Sequence, residues 1–236
     1  MNGTRVQIVL LIVGALALAA MSVAAHSVPY FPGDIAISHA VQAYSSNRLD
    51  AFLAAISWMG FPPQCNAVYA VVVVLALLVG SRRAALMEAL AAIGSGGLYL
   101  LLELVVGQPR PTPDLVRIDF PVQMGSFPSG HLSTFTAVFG FFAFICYRRL
   151  SPFRTRWVPV ALVVAFLALM SFARIYSGQH WPSDVLAGIL LGSLWLTLVI
   201  RLYLRLEQRH EAAVTESAAH TLGHGPEAGH AHVRSV

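Results

Sequence analysis

Two side chains four residues apart, His180 and Asp184, flank Pro182 where a new apolar run begins. On one helical face, the carboxylate could hold one imidazole N–H, fix the tautomer and leave the other ring nitrogen free to attack. Histidine is a competent phosphoryl acceptor. A second histidine closes the segment Phe127-Pro128-Ser129-Gly130-His131, which leads straight into another apolar run. There the Ser129 hydroxyl and the backbone N–H groups of Gly130 and His131 can point at an anion, assisted by the helix dipole. Glycine at 130 lets the backbone come close. A serine that only capped the helix would have no need of the histidine. With His180 as nucleophile, His131 is left as proton donor to a departing alkoxide or phosphate. Arg110, within Gln108-Pro109-Arg110-Pro111, and Arg174, at the close of an apolar run, complete the set. A guanidinium is a planar fork of donors matched to phosphate, and at a membrane edge it needs either an anion or the aqueous interface. Arg48 and Arg117 read as side chains that snorkel to that interface. The chemistry these residues spell is phosphoryl transfer.

The elements that must position them are apolar spans. Hydrophobic residues make up 57% of the 236 and charged residues only 11%, with a mean hydropathy of +0.69; soluble domains carry about 25% charged residues. The bilayer is the solvent this composition fits. All 15 basic residues are arginine, and no stretch concentrates them with aromatic residues, so nothing points to nucleic acid. No segment points to an obligate protein partner either. Apolar runs occur at 6–25, about 67–80, about 84–106, 131–147, 157 to about 173, and about 185–200. The first is either a retained helix or a signal peptide, since Ser22-Val23-Ala24-Ala25 resembles a cleavage site; its length favours a retained helix. Between 26 and 63, apolar residues such as Ile37, Val41, Leu49, Phe52 and Ile56 recur at helical spacing. They predict one or two interfacial amphipathic helices, acting as lids or in substrate access. Gly94, Ser95, Gly96 and Gly97 predict close helix contact.

The expected fold is therefore all-α: a bundle of six transmembrane helices with extracytoplasmic amphipathic helices. Arginines 5, 82, 83, 148, 149, 154, 156, 201, 205 and 209 fall on one side of such a bundle, and 48, 110, 117 and 174 on the other. The arginine bias makes the first side, with both termini, cytoplasmic. The segments around Arg110, around His131 and from Arg174 to Asp184 then share the extracytoplasmic face. Cys65 and Cys146 fall on opposite sides, which disfavours a disulfide. Residues 1–206 form the expected membrane domain. From 207 to 236 composition shifts to His, Ala, Glu, Gly and Thr, predicting a disordered cytoplasmic tail whose His210, His220, His224, His230 and His232 could bind a metal weakly.

The three segments resemble the signature motifs of the phosphatidic acid phosphatase type 2 superfamily, membrane lipid phosphatases that include bacterial phosphatidylglycerophosphate and undecaprenyl diphosphate phosphatases. That family's pattern is K-x6-R-P, then P-S-G-H, then S-R-x5-H-x3-D. Pro128-Ser129-Gly130-His131 is complete here; Arg174, His180 and Asp184 keep the spacing, with Ala173 in the serine position. Arg110-Pro111 match as well, but Glu103 occupies the lysine position. The resemblance covers residues 51 to 205. It implies hydrolysis of a lipid phosphate or diphosphate through a phosphohistidine on His180, with His131 as general acid. Arg110, Arg174, Ser129 and Gly130 would cradle the phosphate, and no metal ion or other cofactor would take part. Glu103 either faces the ligand, at a cost of several kcal/mol in transition-state stabilisation, or turns sideways to hold Arg110. Its presence keeps a second reading open: a relative that binds lipid phosphate without hydrolysing it, or that passes the phosphoryl group to another acceptor.

Overall fold

Eight helices and no strand make up the described residues, 3–223, of a computed structural model. The long apolar runs give α1 (Gly3–Ser27), α4 (Gln64–Val79), α5 (Arg82–Val106), α6 (Gly130–Arg149), α7 (Trp157–Tyr176) and α8 (Pro182–Gly223), while the mixed stretch between the first two gives α2 (Asp34–Gln42) and α3 (Asn47–Trp58). Local chemistry sets several boundaries. The hydroxyls of Ser46 and Ser81 accept from the N–H groups of Leu49 and Ala84, capping α3 and α5. Gly107 takes the left-handed conformation that ends α5, and Pro182 occupies the first position of α8.

Five of these helices are long and apolar enough to cross a membrane: residues 5–27, 82–106, 130–149, 157–176 and 182–216. The expected second span, α4, is apolar throughout but has only 16 residues, about 24 Å of rise. Bulky side chains such as Leu78, Ile93, Leu104 and Leu162 point outward, the arrangement that suits a lipid solvent.

Within residues 1–200, α5 and α6 pack together and α4 lies against both; α7 packs on α6, α2 and α3 lie on α7, and α1 on α5. Leu18, Ala25, Val106, Phe127, Ala187 and Leu191 form one buried cluster. Leu132, Phe135, Met170, Ile175 and Val185 form another. Small residues bring α8 onto α6: a Cβ at Gly188 would lie 2.5 Å from the Ser129 carbonyl oxygen, and one at Gly192 2.4 Å from that of Ser133. The expected contact at 94–97 is divided. Gly94 admits the Trp195 indole and Ser95 bonds Ser133 at 2.8 Å, whereas Gly96 and Gly97 have nothing within 4 Å of an added Cβ. Cys65, in the first turn of α4, and Cys146, near the end of α6, are free.

Residues 201–223 are a separate unit and continue α8 as helix. The described part of the segment after the change of composition, 207–223, is helical. Neither proline nor glycine interrupts 193–222, and alanine, glutamate and arginine favour helix there. His210 is exposed on α8; His224, His230 and His232 lie outside the described residues.

Candidate active site

The loop from Gly107 to Ser129 cannot continue α5, because Pro109, Pro111 and Pro113 follow directly. It folds back so that Ser126 N–H donates to the Gln108 carbonyl at 2.9 Å. Arg110 is fixed in this loop by carbonyl oxygens: Nε donates to Met124 at 2.8 Å and Nη1 to Gln179 at 2.6 Å. Nη1 also lies 3.5 Å from His180 Nε2, and Nη2 lies 4.0 Å from Glu103 Oε1.

His180 precedes α8 rather than lying on it, so the helical-face spacing assumed for 180 and 184 does not apply. Its Nδ1 donates to the Ser126 carbonyl at 2.9 Å, while Asp184 Oδ2 is 3.5 Å away. Asp184 is held instead by the Ser126 hydroxyl and by the Trp181 N–H at 2.8 Å. Ser126 therefore takes part of the role expected of the carboxylate: its carbonyl orients the ring and its hydroxyl orients Asp184. Burial, with Arg110, Arg174 and His131 nearby, holds the His180 pKa well below the ordinary imidazole value. The ring is neutral at pH 7, with Nδ1 engaged and Nε2 on the side of Arg110.

Arg174 is buried in the last turn of α7. Its Nη1 donates to Ser57 Oγ at 2.6 Å, its guanidinium stands 5.1 Å from the Phe61 ring centre, and Nε has no protein partner. His131, in the first turn of α6, packs edge-on against the same Phe61 ring at 4.9 Å, and its Nε2 has no partner. The turn after α3 thus supports both groups. A Cβ at Gly60 would lie 1.7 Å from His131 Cδ2.

Arg110, Arg174, His131, His180 and Gly130 line one cavity of about 660 Å³. Ser129 and Asp184 do not line it and stand behind it, joined by a 3.0 Å bond from the Ser129 N–H to the Asp184 carbonyl. Ser129 makes no side-chain cap bond, and its buried hydroxyl has no partner. Glu103 lines the cavity as well as approaching Arg110, so the two orientations weighed for it coincide.

Sequence reasoning did not single out Ser57, Gly60, Phe61 or Ser126. The glycine and prolines of Gly60-Phe61-Pro62-Pro63 are a turn signal that could have pointed to the first three, and Ser126 was visible only as a neighbour of the Pro128 segment. Arg117, expected to snorkel, instead pairs with Asp119 at 3.2 Å and with Asp50 at 3.7 Å and stacks on Tyr176. It takes no part in the cavity.

The arrangement offers two fixed cations for a tetrahedral anion and one neutral imidazole nitrogen beside them. A family model described as the PAP2 superfamily matches residues 84–208. A lipid A 1-phosphatase of Rhizobium johnstonii is 33% identical over 112 residues, 44% of this chain and 41% of that one. A putative undecaprenyl-diphosphatase of Escherichia coli is 34% identical over 91 residues, 35% of this chain and again 41% of the relative. The chain thus spans about two-fifths of the length of these relatives. A decaprenylphosphoryl-5-phosphoribose phosphatase of Mycobacterium tuberculosis is 28% identical over 164 residues, covering 68% of this chain and 85% of its own. Among solved structures, a transmembrane PAP2 type phosphatidylglycerolphosphate phosphatase from Bacillus subtilis superposes with a TM-score of 0.68 at 21% identity, over 79% of this chain and 94% of that one. Aquifex aeolicus LpxE gives 0.58, also at 21% identity, over 72% and 96%. Both share the fold.

Proposed function

The chain belongs to the PAP2 superfamily, and from that membership we propose an integral-membrane phosphatase that hydrolyses a lipid phosphomonoester or diphosphate through a phosphohistidine on His180. Substrates of the undecaprenyl diphosphate, phosphatidylglycerophosphate, phosphatidate and lipid A types are candidates, as are phosphoribosyl lipids of the kind named for the mycobacterial relative. The observation that carries the reading is the His180 ring. Its Nδ1 is tied to Ser126, its Nε2 stands 3.5 Å from Arg110 Nη1, and both guanidinium groups line the same cavity.

In this scheme Arg110 and Arg174 neutralise the phosphate oxygens, each pair contributing about 4 kcal/mol at 4 Å in a partly screened site. Nε2 of His180 attacks phosphorus as the bond to the leaving oxygen breaks, and His131 gives that oxygen a proton. Water then attacks phosphorus, returning a proton to His131 as the P–N bond breaks and phosphate leaves. The two arginines supply the positive charge that a metal would otherwise provide. The site stands at the end of the bundle away from Arg82, Arg83, Arg148 and Arg149, which supports an extracytoplasmic face with both termini cytoplasmic. In the same scheme α4 crosses as the second of six spans, and α2 and α3 lie over the site end of α7.

Phosphate release measured in detergent, with EDTA present, tests the reading over a panel of these lipids. Release by the wild type and none by His180→Ala is expected; equal release by both would reject it. Glu103 at the cavity favours a second reading, binding or phosphoryl transfer without hydrolysis. A melting temperature raised by phosphate with no phosphate released would identify that case.

A further inference from the structure

Glu103 is a carboxylate placed where the bound anion would repel it. It lies in the last turn of α5, more than nine-tenths buried, and lines the cavity with Arg110, Arg174, His131 and His180. Its charge weakens phosphate binding unless it meets something the ligand brings. Arg110 meets it only as an ion pair: the 4.0 Å separation exceeds hydrogen-bond length, and carbonyl oxygens of Met124 and Gln179 already take hydrogen bonds from that guanidinium, so the acceptor positions of the carboxylate stay free for hydroxyl donors. Among the described residues no donor comes within hydrogen-bond distance of the Glu103 carboxylate. Gly125 packs on its stem, 3.0 Å from Cγ at the Cβ position, which keeps the group at the cavity.

The cavity-lining residues of α5 run in order from Glu103 through Leu100 and Tyr99 to Gly97, Gly96 and Ile93. A polar end beside the cations passes into an apolar trough, left open at Gly96 and Gly97. A lipid phosphate with phosphorus at His180 and its chain in the trough carries the intervening atoms past Glu103 and Tyr99. We infer that Glu103 is a specificity-determining residue that accepts hydrogen bonds from hydroxyl groups between the phosphoester and the apolar chain, so that the preferred substrates are lipid phosphates with a polyhydroxylated, sugar-like linker. A cationic linker fits less well, because two guanidinium groups already line the same space. The inference rests on the lipid phosphatase reading.

A matched pair of substrates tests it: octyl ribofuranoside 5-phosphate and its 2,3-dideoxy analogue, with phosphatidate as reference, assayed in detergent on wild type, Glu103→Gln and Glu103→Leu. Wild type should favour the hydroxylated lipid by roughly 10- to 100-fold in kcat/KM, chiefly through KM, as for hydrogen bonds to a charged acceptor. The preference should shrink in Glu103→Gln, which keeps an acceptor, and vanish in Glu103→Leu, where the two ribosides should give equal kcat/KM. Equal kcat/KM for the two ribosides on wild type, or a preference that persists in Glu103→Leu, overturns the inference and leaves the phosphatase reading standing. Should Glu103→Leu not fold, the wild-type comparison and Glu103→Gln still decide. No phosphate from any of the three lipids overturns the inference, and the phosphatase reading falls with it only if the wider lipid panel also yields none.

Discussion

The His180 ring is bonded to the backbone of Ser126, at 2.9 Å, more closely than to the carboxylate of Asp184, at 3.5 Å. A backbone carbonyl survives any side-chain substitution, so the tautomer that frees Nε2 is set even when residue 184 loses its charge. Asp184→Asn should therefore lower kcat by about 10- to 100-fold, the usual effect of disturbing a supporting group. Where a carboxylate alone orients the base, the loss is about 10⁴-fold. Steady-state phosphate release distinguishes the two, and a loss of the larger size would show that Asp184, not Ser126, governs the ring.

Burial lowers the His180 pKa, and the cations Arg110 and Arg174 lower it further. Below the ordinary imidazole pKa of about 6.5 the unfolded chain binds a proton at this position that the folded chain refuses, so stability falls as pH drops through that window. Above about 6.5 the two states bind alike and the effect is gone. His180→Gln should flatten the acid side of a melting-temperature profile. Arg110→Gln removes one of the depressing charges, so the ring should titrate at higher pH in that variant, as read by NMR of labelled histidine. A shift to lower pH would contradict the assigned cause.

Gly60 leaves room for the His131 ring that no other residue could leave. An added Cβ would stand 1.7 Å from Cδ2 and 2.2 Å from Nε2, so in Gly60→Ala the ring must move by an ångström or more. Misplacement on that scale costs about 10²-fold in rate, with about 1–3 kcal/mol of overpacking. The expected signature is a fall in kcat larger than any rise in KM. Wild-type kinetics in Gly60→Ala would mean that His131 is not placed by this turn.

Much of the candidate site was legible because its parts are rare in an apolar chain. Arg110, His131, Arg174 and His180 sit beside prolines, glycines and the ends of apolar runs, and all four line one cavity. What could not be read were the supports. Ser57, Phe61 and Ser126 are ordinary residue types, and their partnerships span 54 to 117 positions of sequence. Helical periodicity announced α2 and α3 but said nothing of which side chains they lend; Gln42 of α2 bonds the backbone of Arg117 in both directions and that of Tyr176. The assumption that residues 180 and 184 share a helical face failed because the helix begins only at Pro182.

Asp34 shows the same kind of support and offers a test away from the cavity. Although it opens α2, its carboxylate serves α8: Oδ1 accepts from the Ser183 N–H at 3.0 Å and Oδ2 from the Ser183 hydroxyl at 2.7 Å, with the Phe31 N–H also at 2.7 Å. Helix N-termini leave such donors unsatisfied, and here the satisfying group comes from 149 residues earlier in the chain. Asp34→Ala strands these buried donors at a cost of about 1–3 kcal/mol, or about 3–10 °C in melting temperature for a chain of this size. Asp34→Asn keeps one acceptor oxygen and should lose less. Because Ser183 lies between His180 and Asp184, kcat should fall with stability in Asp34→Ala and recover in part in Asp34→Asn. An alanine variant that melts like wild type would show that water satisfies the start of α8 without Asp34.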